Sequence, residues 1–209
     1  MKESLARLEV ACRFLAKVFH LPLEAAFLRT LAEEGLMAEL PLDTAVEDTQ
    51  TGLRLMEAFL AGWTESQLPE LEADFNRLFV GPGRPLAPPW ESYYLDVDHL
   101  LFQEQTLAVR RAYREFGLEV PQTGGEPDDS LGLELTFVAE LCRMALEDGA
   151  PDEDLPAIRQ FLSSHLLRWA PQCLRLVIAG ARLDYYRAAA FLALGCLIDA
   201  QRLTGLPGD

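Results

Sequence analysis

Leu131–Leu146 reads LGLELTFVAELCRMAL. Leu131, Leu135, Val138, Cys142 and Ala145 recur at spacings of three and four and form one apolar stripe. Leu133, Phe137, Leu141 and Met144 form a second. A helix that is apolar on two faces needs partners on both sides, so it sits at the centre of a helical protein. This stretch sets the fold class as all-α.

The pattern holds on either side of it. Leu5, Leu8, Cys12, Leu15 and Val18 or Phe19 form an N-terminal stripe, with Glu3, Arg7, Arg13 and Lys17 off it. A second helix is expected over Leu23–Glu34, with Pro22 at its start and Gly35 past its end. A third opens on the T-x-x-E capping box of Thr44 and Glu47 and ends near Gly62. A fourth opens on Thr64 and Gln67 and runs to about Val80. Gly81–Tyr94, GPGRPLAPPWESYY, then breaks the pattern, because four prolines exclude a regular helix or a central strand. Helix resumes over Leu100–Phe116 and stops at Gly117. A second loop, Glu119–Asp129, carries Pro121, Gly124, Gly125 and Pro127. Beyond the central helix, segments are expected over Leu155–Trp169, Pro171–Ala181 and Asp184–Leu203, the last with Asp184 as N-cap. The expected architecture is a single domain over residues 1–209, a bundle of eight or nine helices with no strand alternation and no repeat.

The 209 residues carry 18 Lys+Arg against 33 Asp+Glu, a net charge of −15. A field of that sign repels phosphate backbones and anionic lipid and favours a cationic partner, so no nucleic acid is expected. Between Glu119 and Asp154 lie eleven acids and one base, Arg143. A solvated face explains them, and so does a docking surface for a basic peptide. Cys12, Cys142, Cys173 and Cys196 are far apart, show no C-x-x-C and lie in apolar stretches, as reduced, buried cysteines of a cytoplasmic protein do. The N-terminus reads as no signal peptide. The longest apolar run, Ala188–Ile198, is eleven residues, short of the roughly 20 that cross a bilayer, so no stable membrane insertion is expected.

Signals of catalysis are weak. His20, His99 and His165 are isolated, no serine or cysteine has an evident base, and GPGRP lacks the lysine of a phosphate loop. Asp128 and Asp129 suit a metal or acid–base pair. With Ser130 they also sit where a helix begins, and there carboxylates and hydroxyls satisfy unpaired N–H groups. No catalytic residue, metal or cofactor is assigned.

Three blocks carry a resemblance: DFNRLFVGPGRPLAPPWESYYLD (Asp74–Asp96), EPDDSLGLELTFVAEL (Glu126–Leu141) and FLSSHLLRWAPQCLRLVIAGARLDYYRAAA (Phe161–Ala190). In order and spacing they resemble the signature regions of the TorD/DmsD/NarJ family of redox-enzyme maturation chaperones. The resemblance implies an all-helical cytoplasmic chaperone. Its partner would be the N-terminal leader, often twin-arginine, of a molybdopterin oxidoreductase catalytic subunit, held while the cofactor is inserted. It also implies a monomer or a helix-swapped homodimer, and weak guanine-nucleotide binding is proposed for some members.

A leader with two guanidinium groups beside an apolar segment needs carboxylates next to an aromatic or aliphatic groove. Phe75, Leu78 and Phe79 share one helix face, which suits a groove or an ordinary core alike, Trp90 and Tyr93 follow the proline-rich loop, and Asp128 and Asp129 lie on the acidic loop. By the resemblance, Phe75, Leu78, Phe79 and Trp90 contribute to the leader-binding surface, as do Pro127, Asp129 and Ser130. Ser130 stands where the family pattern has histidine, and serine caps a helix but does not titrate near neutral pH. Two other readings remain: a small metal-dependent hydrolase using Asp128, Asp129 and a histidine, and a general helical scaffold.

Overall fold

The structure is a computed structural model that describes residues 1–20, 23–120, 125–147 and 151–208, without the side chains of 151–154. Pro22, Pro121, Gly124, Asp148 and the side chains of Asp152, Glu153 and Asp154 therefore lie outside the described residues.

Among the described residues the chain forms eleven helices: α1 (Lys2–His20), α2 (Ala25–Glu33), α3 (Leu36–Glu39), α4 (Glu47–Gly62), α5 (Leu68–Phe75), α6 (Glu91–Leu95), α7 (Glu104–Glu115), α8 (Leu131–Glu147), α9 (Pro151–Ser164), α10 (Leu166–Gly180) and α11 (Asp184–Thr204). Two of them, α3 and α6, are one turn long, and the rest match the expected bundle. A 3-10 turn (Glu65–Gln67) leads into α5, and a π-helical turn (Asn76–Val80) ends it. The only strand-like pairing among them is an isolated antiparallel bridge between Trp90 and Ser130.

The two apolar stripes of α8 explain its place. Leu131, Leu135, Val138, Cys142 and Ala145 are all buried, as are Phe137 and Leu141. They pack against α1 on one side and against α9 and α10 on the other. The other central helix is α11, which touches α1, α4, α9 and α10. The buried apolar side chains of all these helices form one continuous core. The four cysteines are buried and unpaired, with the Cys12 and Cys196 sulfurs 3.8 Å apart where α1 meets α11.

Four expectations need correction. Thr44 and Glu47 form no capping box: α4 starts at Glu47 itself, and Thr44 instead accepts from the Gln50 side chain through its carbonyl (2.7 Å). A helix survives inside the proline-rich stretch, because α6 begins two residues past Pro89 with help from a distant carboxylate described below. The break between α9 and α10 falls at His165, not between Trp169 and Pro171. Asp184 is not an N-cap but lies in the first turn of α11, paired with Arg187. The orphan N–H groups there are served by Asp74, 2% exposed, whose Oδ2 accepts from Arg182 N (2.9 Å) and Leu183 N (3.0 Å).

Close approach of α4 to α11 depends on Gly52. A Cβ at that position would lie 2.8 Å from Leu192 N and 2.9 Å from Ala188 O, both backbone atoms. Gly→Ala inside a helix ordinarily stabilises by roughly 0.5–1 kcal/mol. At Gly52 the sign should reverse, because the helices must separate, a cost of about 1–3 kcal/mol. Gly62→Ala, with nothing near its Cβ, is the control and should be neutral or slightly stabilising. Chemical denaturation of both variants checks this.

Candidate functional site

The proline-rich loop is held at both ends. The π turn leaves carbonyls free at the end of its helix, and the returning loop uses them: Leu86 N donates to Arg77 O (3.3 Å) and Ala87 N to Leu78 O (2.9 Å). Arg77 in turn pairs with Asp74 (2.6 Å) and donates to Gly180 O (2.5 Å), which ties the first motif to the end of α10. Pro82, Gly83, Arg84 and Leu86 are exposed, whereas Ala87, Pro88 and Pro89 are buried, so the loop turns from the surface into the interior before α6.

At its far end the loop meets the second motif. Leu131 N donates to Pro89 O (2.9 Å) and Glu91 N to Asp129 O (2.9 Å), which makes the Trp90–Ser130 bridge. Two helices, α6 and α8, thus leave one short pairing side by side. Asp129 is fully buried. Its Oδ2 accepts from Ser92 N (2.7 Å), in the first turn of α6, and its Oδ1 from the Thr106 hydroxyl on α7 (2.8 Å). It therefore caps a helix from a different segment. Ser130 serves α8 itself, through a long contact from Leu133 N (3.4 Å). Asp128, equally buried, pairs with Arg110 and accepts the Tyr113 hydroxyl on its backbone oxygen (2.9 Å).

The third motif closes the junction. His165 Nδ1 lies 2.9 Å from a carboxylate oxygen of Glu91, which is 1% exposed. This contact sits at the backbone break between α9 and α10 and is a physical reason for it. Trp169 donates its indole N–H to Glu134 (3.1 Å) and stacks on Tyr94 (centroids 5.5 Å apart). Burial pushes the Glu134 carboxyl well above its usual range, and the neighbouring Glu91 and Asp129 push it further. A carboxyl so placed holds its proton to higher pH than an exposed one, and it hydrogen-bonds Glu91. The same carboxylates and complete burial raise the Tyr113 phenol.

Of the expected site residues, the structure brings together Trp90, Pro127, Asp128, Asp129 and Ser130, with Tyr93 on α6. Only Trp90 and Tyr93 in the expected set are not buried. Tyr93 stacks on His99 (5.0 Å) and lies under the Arg84 guanidinium (5.1 Å). Phe75, Leu78 and Phe79 lie on another wall: Phe75 and Phe79 pack on each other and on Tyr186, and Phe79 also meets Phe19. Of the two readings their spacing allows, groove wall or ordinary core, the fold places all three side chains in the core. Asp128 and Asp129 are likewise engaged inside the fold and face different partners, which suits neither an open charge patch nor a paired catalytic site. Among the described residues no group of three His, Cys, Asp or Glu could hold a metal.

Sequence reasoning missed Glu91, Glu134 and His165. The signal for Glu134 was present, since it interrupts the apolar faces of the central helix; Glu91 and His165 lie inside the quoted blocks but pair only in three dimensions.

The family described as nitrate reductase delta subunit matches residues 41–175, the span that holds Trp90, Asp129, Glu134 and His165. The chain belongs to this family. Among its relatives, the Tat proofreading chaperone DmsD of Salmonella typhi is 31% identical over 188 residues, covering 88% of this chain and 84% of that one. The chaperone protein TorD of Vibrio cholerae (El Tor Inaba N16961) is 36% identical over 128 residues, 60% of this chain and 58% of that one. A crystal structure described as a redox enzyme maturation protein from Archaeoglobus fulgidus superposes with a TM-score of 0.57 at 18% identity, covering 90% and 92% of the two chains, which shows the shared fold. The family match and these relatives bear out the likeness of the three motifs to redox-enzyme maturation chaperones.

The buried carboxyls give a pH test. An acid whose folded pKa is raised loses stability as pH rises from its unfolded value, about 4.3, toward the folded one. Glu134→Gln keeps an acceptor for Trp169 and removes that loss. Its stability relative to the parent should therefore improve steadily between pH 5 and pH 8. A difference that stays constant across that range, measured by urea unfolding, would mean that Glu134 is ionised in the fold.

Proposed function

We propose that this chain is a cytoplasmic chaperone that binds the N-terminal, twin-arginine leader of a molybdopterin oxidoreductase catalytic subunit and holds it during cofactor insertion. It acts by binding rather than by turnover. The observation that carries the reading is the convergence of three separate motifs on one junction whose outward members are aromatic. Trp90 stands at the start of a short helix and Tyr93 on it, and that helix is held by Asp129 at Ser92 N and by His165 at Glu91. The chaperone names of the relatives support it. Among the described residues no helix is long and apolar enough to cross a membrane.

The division of labour follows from burial. Trp90 is half-exposed, so its ring can offer an apolar face to a peptide, while its indole N–H is buried and without a partner among the described residues. Asp98, exposed on the loop after α6, offers a carboxylate to a leader arginine. Asp129 acts as a positioning residue: without its charge-assisted bond to Ser92 N, α6 loses its cap and Trp90 its place.

A leader peptide followed by fluorescence anisotropy tests this. Trp90→Ala should weaken binding by about 2 kcal/mol, roughly 30-fold, with helical circular dichroism retained. Asp129→Asn should weaken it by the same factor at low and high salt, and equally for a leader whose two arginines are glutamine. A loss that appears only at low salt, and only with the arginine leader, would make Asp129 a direct charge partner instead.

A further inference from the structure

A second groove lies between α10 and α11, away from Trp90. It is a cavity of about 890 Å³. Leu167, Pro171 and Ile178 line it from α10, and Phe191, Leu194 and Ile198 from α11, all of them half-exposed. On each helix the spacings are helical, so two parallel apolar ridges run along the trough. Leu167 to Ile178 spans roughly 16 Å at 1.5 Å per residue, three turns of helix. That is the shape of a surface that receives the apolar face of another helix.

The rim carries the opposite sign from the rest of the protein. Most arginines are neutralised by carboxylates, as Arg13, Arg110 and Arg143 are. Arg168 and Arg175, exposed along the trough, form no ion pair with a carboxylate among the described residues. Arg168 only reaches back to Ser164 O on its own chain (3.3 Å). Asp48 is the one carboxylate lining this trough, and Arg202, at its far end, is already paired with Asp43 (2.8 Å). Two exposed arginines seven residues apart, roughly 10 Å along α10, with Asp48 near enough to Arg175 to feel its charge, thus flank an apolar floor in a chain of net charge −15. Such an edge selects an anionic flank.

We infer that the α10–α11 trough is a second binding site, and that its occupant is an acidic amphipathic helix of a partner protein. The helix lays its apolar face on the two ridges and sets carboxylates against Arg168 and Arg175. The inference does not rest on the leader reading, because the two surfaces and the two charge signs are separate.

The test uses the full chain and an 18-residue amphipathic helical peptide with glutamates seven residues apart beside a leucine face. Arg168→Glu/Arg175→Glu changes only exposed side chains, so folding, checked by circular dichroism, should be kept. The glutamate peptide should bind the parent at least about tenfold more tightly than this variant, and Leu194→Glu should weaken it similarly. A leader peptide should not displace it. Equal binding to parent and variant, or displacement by the leader, would overturn the inference. So would capture of phosphatidylglycerol vesicles in place of the peptide. A concentration-dependent dimer that the arginine variant dissolves would assign the trough to a second copy of this chain and overturn it as well.

Discussion

A carboxylate taken out of water must find donors for its lone pairs, or it destabilises the fold by several kcal/mol. Asp129 is fully buried, and among the described residues its side chain has no cation within ion-pair distance. Its charge is stabilised by the backbone N–H of Ser92 and the hydroxyl of Thr106, while its own carbonyl accepts Glu91 N. Those three bonds require α6, α7 and the start of α8 to be where they are. The Trp90–Ser130 bridge, the entry of α8 into the core and the outward placing of Trp90 and Tyr93 follow from that requirement. Next to it, Glu134 hydrogen-bonds Glu91, and His165 and Trp169 bring α10 into the same network. A network of this kind is stable only when every member is satisfied, which makes it a poor place for a change in chain path and a good base for a rigid surface.

Much of this was legible in sequence, and the part that was not has a common cause. The stripes of α1 and α8 gave their helices and buried faces directly, because periodicity reports which side of a helix meets the core. Thr44–Glu47 misled, since a capping box is a local pattern and the competing bond from Gln50 depends on the turn around it. His165 looked like an ordinary helix residue, and its role at the α9–α10 break comes from Glu91, 74 residues away in sequence. Phe75 and Phe79 sat at the spacing of a groove, and the same spacing serves a core wall; only the presence of Phe19 and Tyr186 opposite them decides between the two. The motif blocks meet in one junction, but which of their residues are buried depends on contacts between blocks. Of the aspartates and aromatics they contain, the buried ones build the site and the half-exposed ones face outward.

The arrangement suits a protein that binds without turning over. Its polar residues are spent on holding backbone, as Asp74 does for the α10–α11 turn and Asp129 for α6. The proposed surface carries the half-exposed rings of Trp90 and Tyr93, with Arg84 of the proline-rich loop over Tyr93; the loop's prolines set φ angles in advance, which would lower the ordering cost of receiving a peptide. A trough with two exposed arginines, neither in an ion pair among the described residues, lies on the other side of α10 from the His165 contact. The same helix thus turns one face toward the three-motif junction and another toward the trough.

The central claim is that the three motifs form one junction and that the peptide-binding face is its outer surface. Hydrogen–deuterium exchange of the full chain, with and without a client leader peptide, tests it most directly. The account predicts that the leader slows exchange in residues 84–103 and at the start of α8, with α1 and α4 unchanged. Protection appearing instead along α1 or α4, with residues 84–103 exchanging as before, would contradict it.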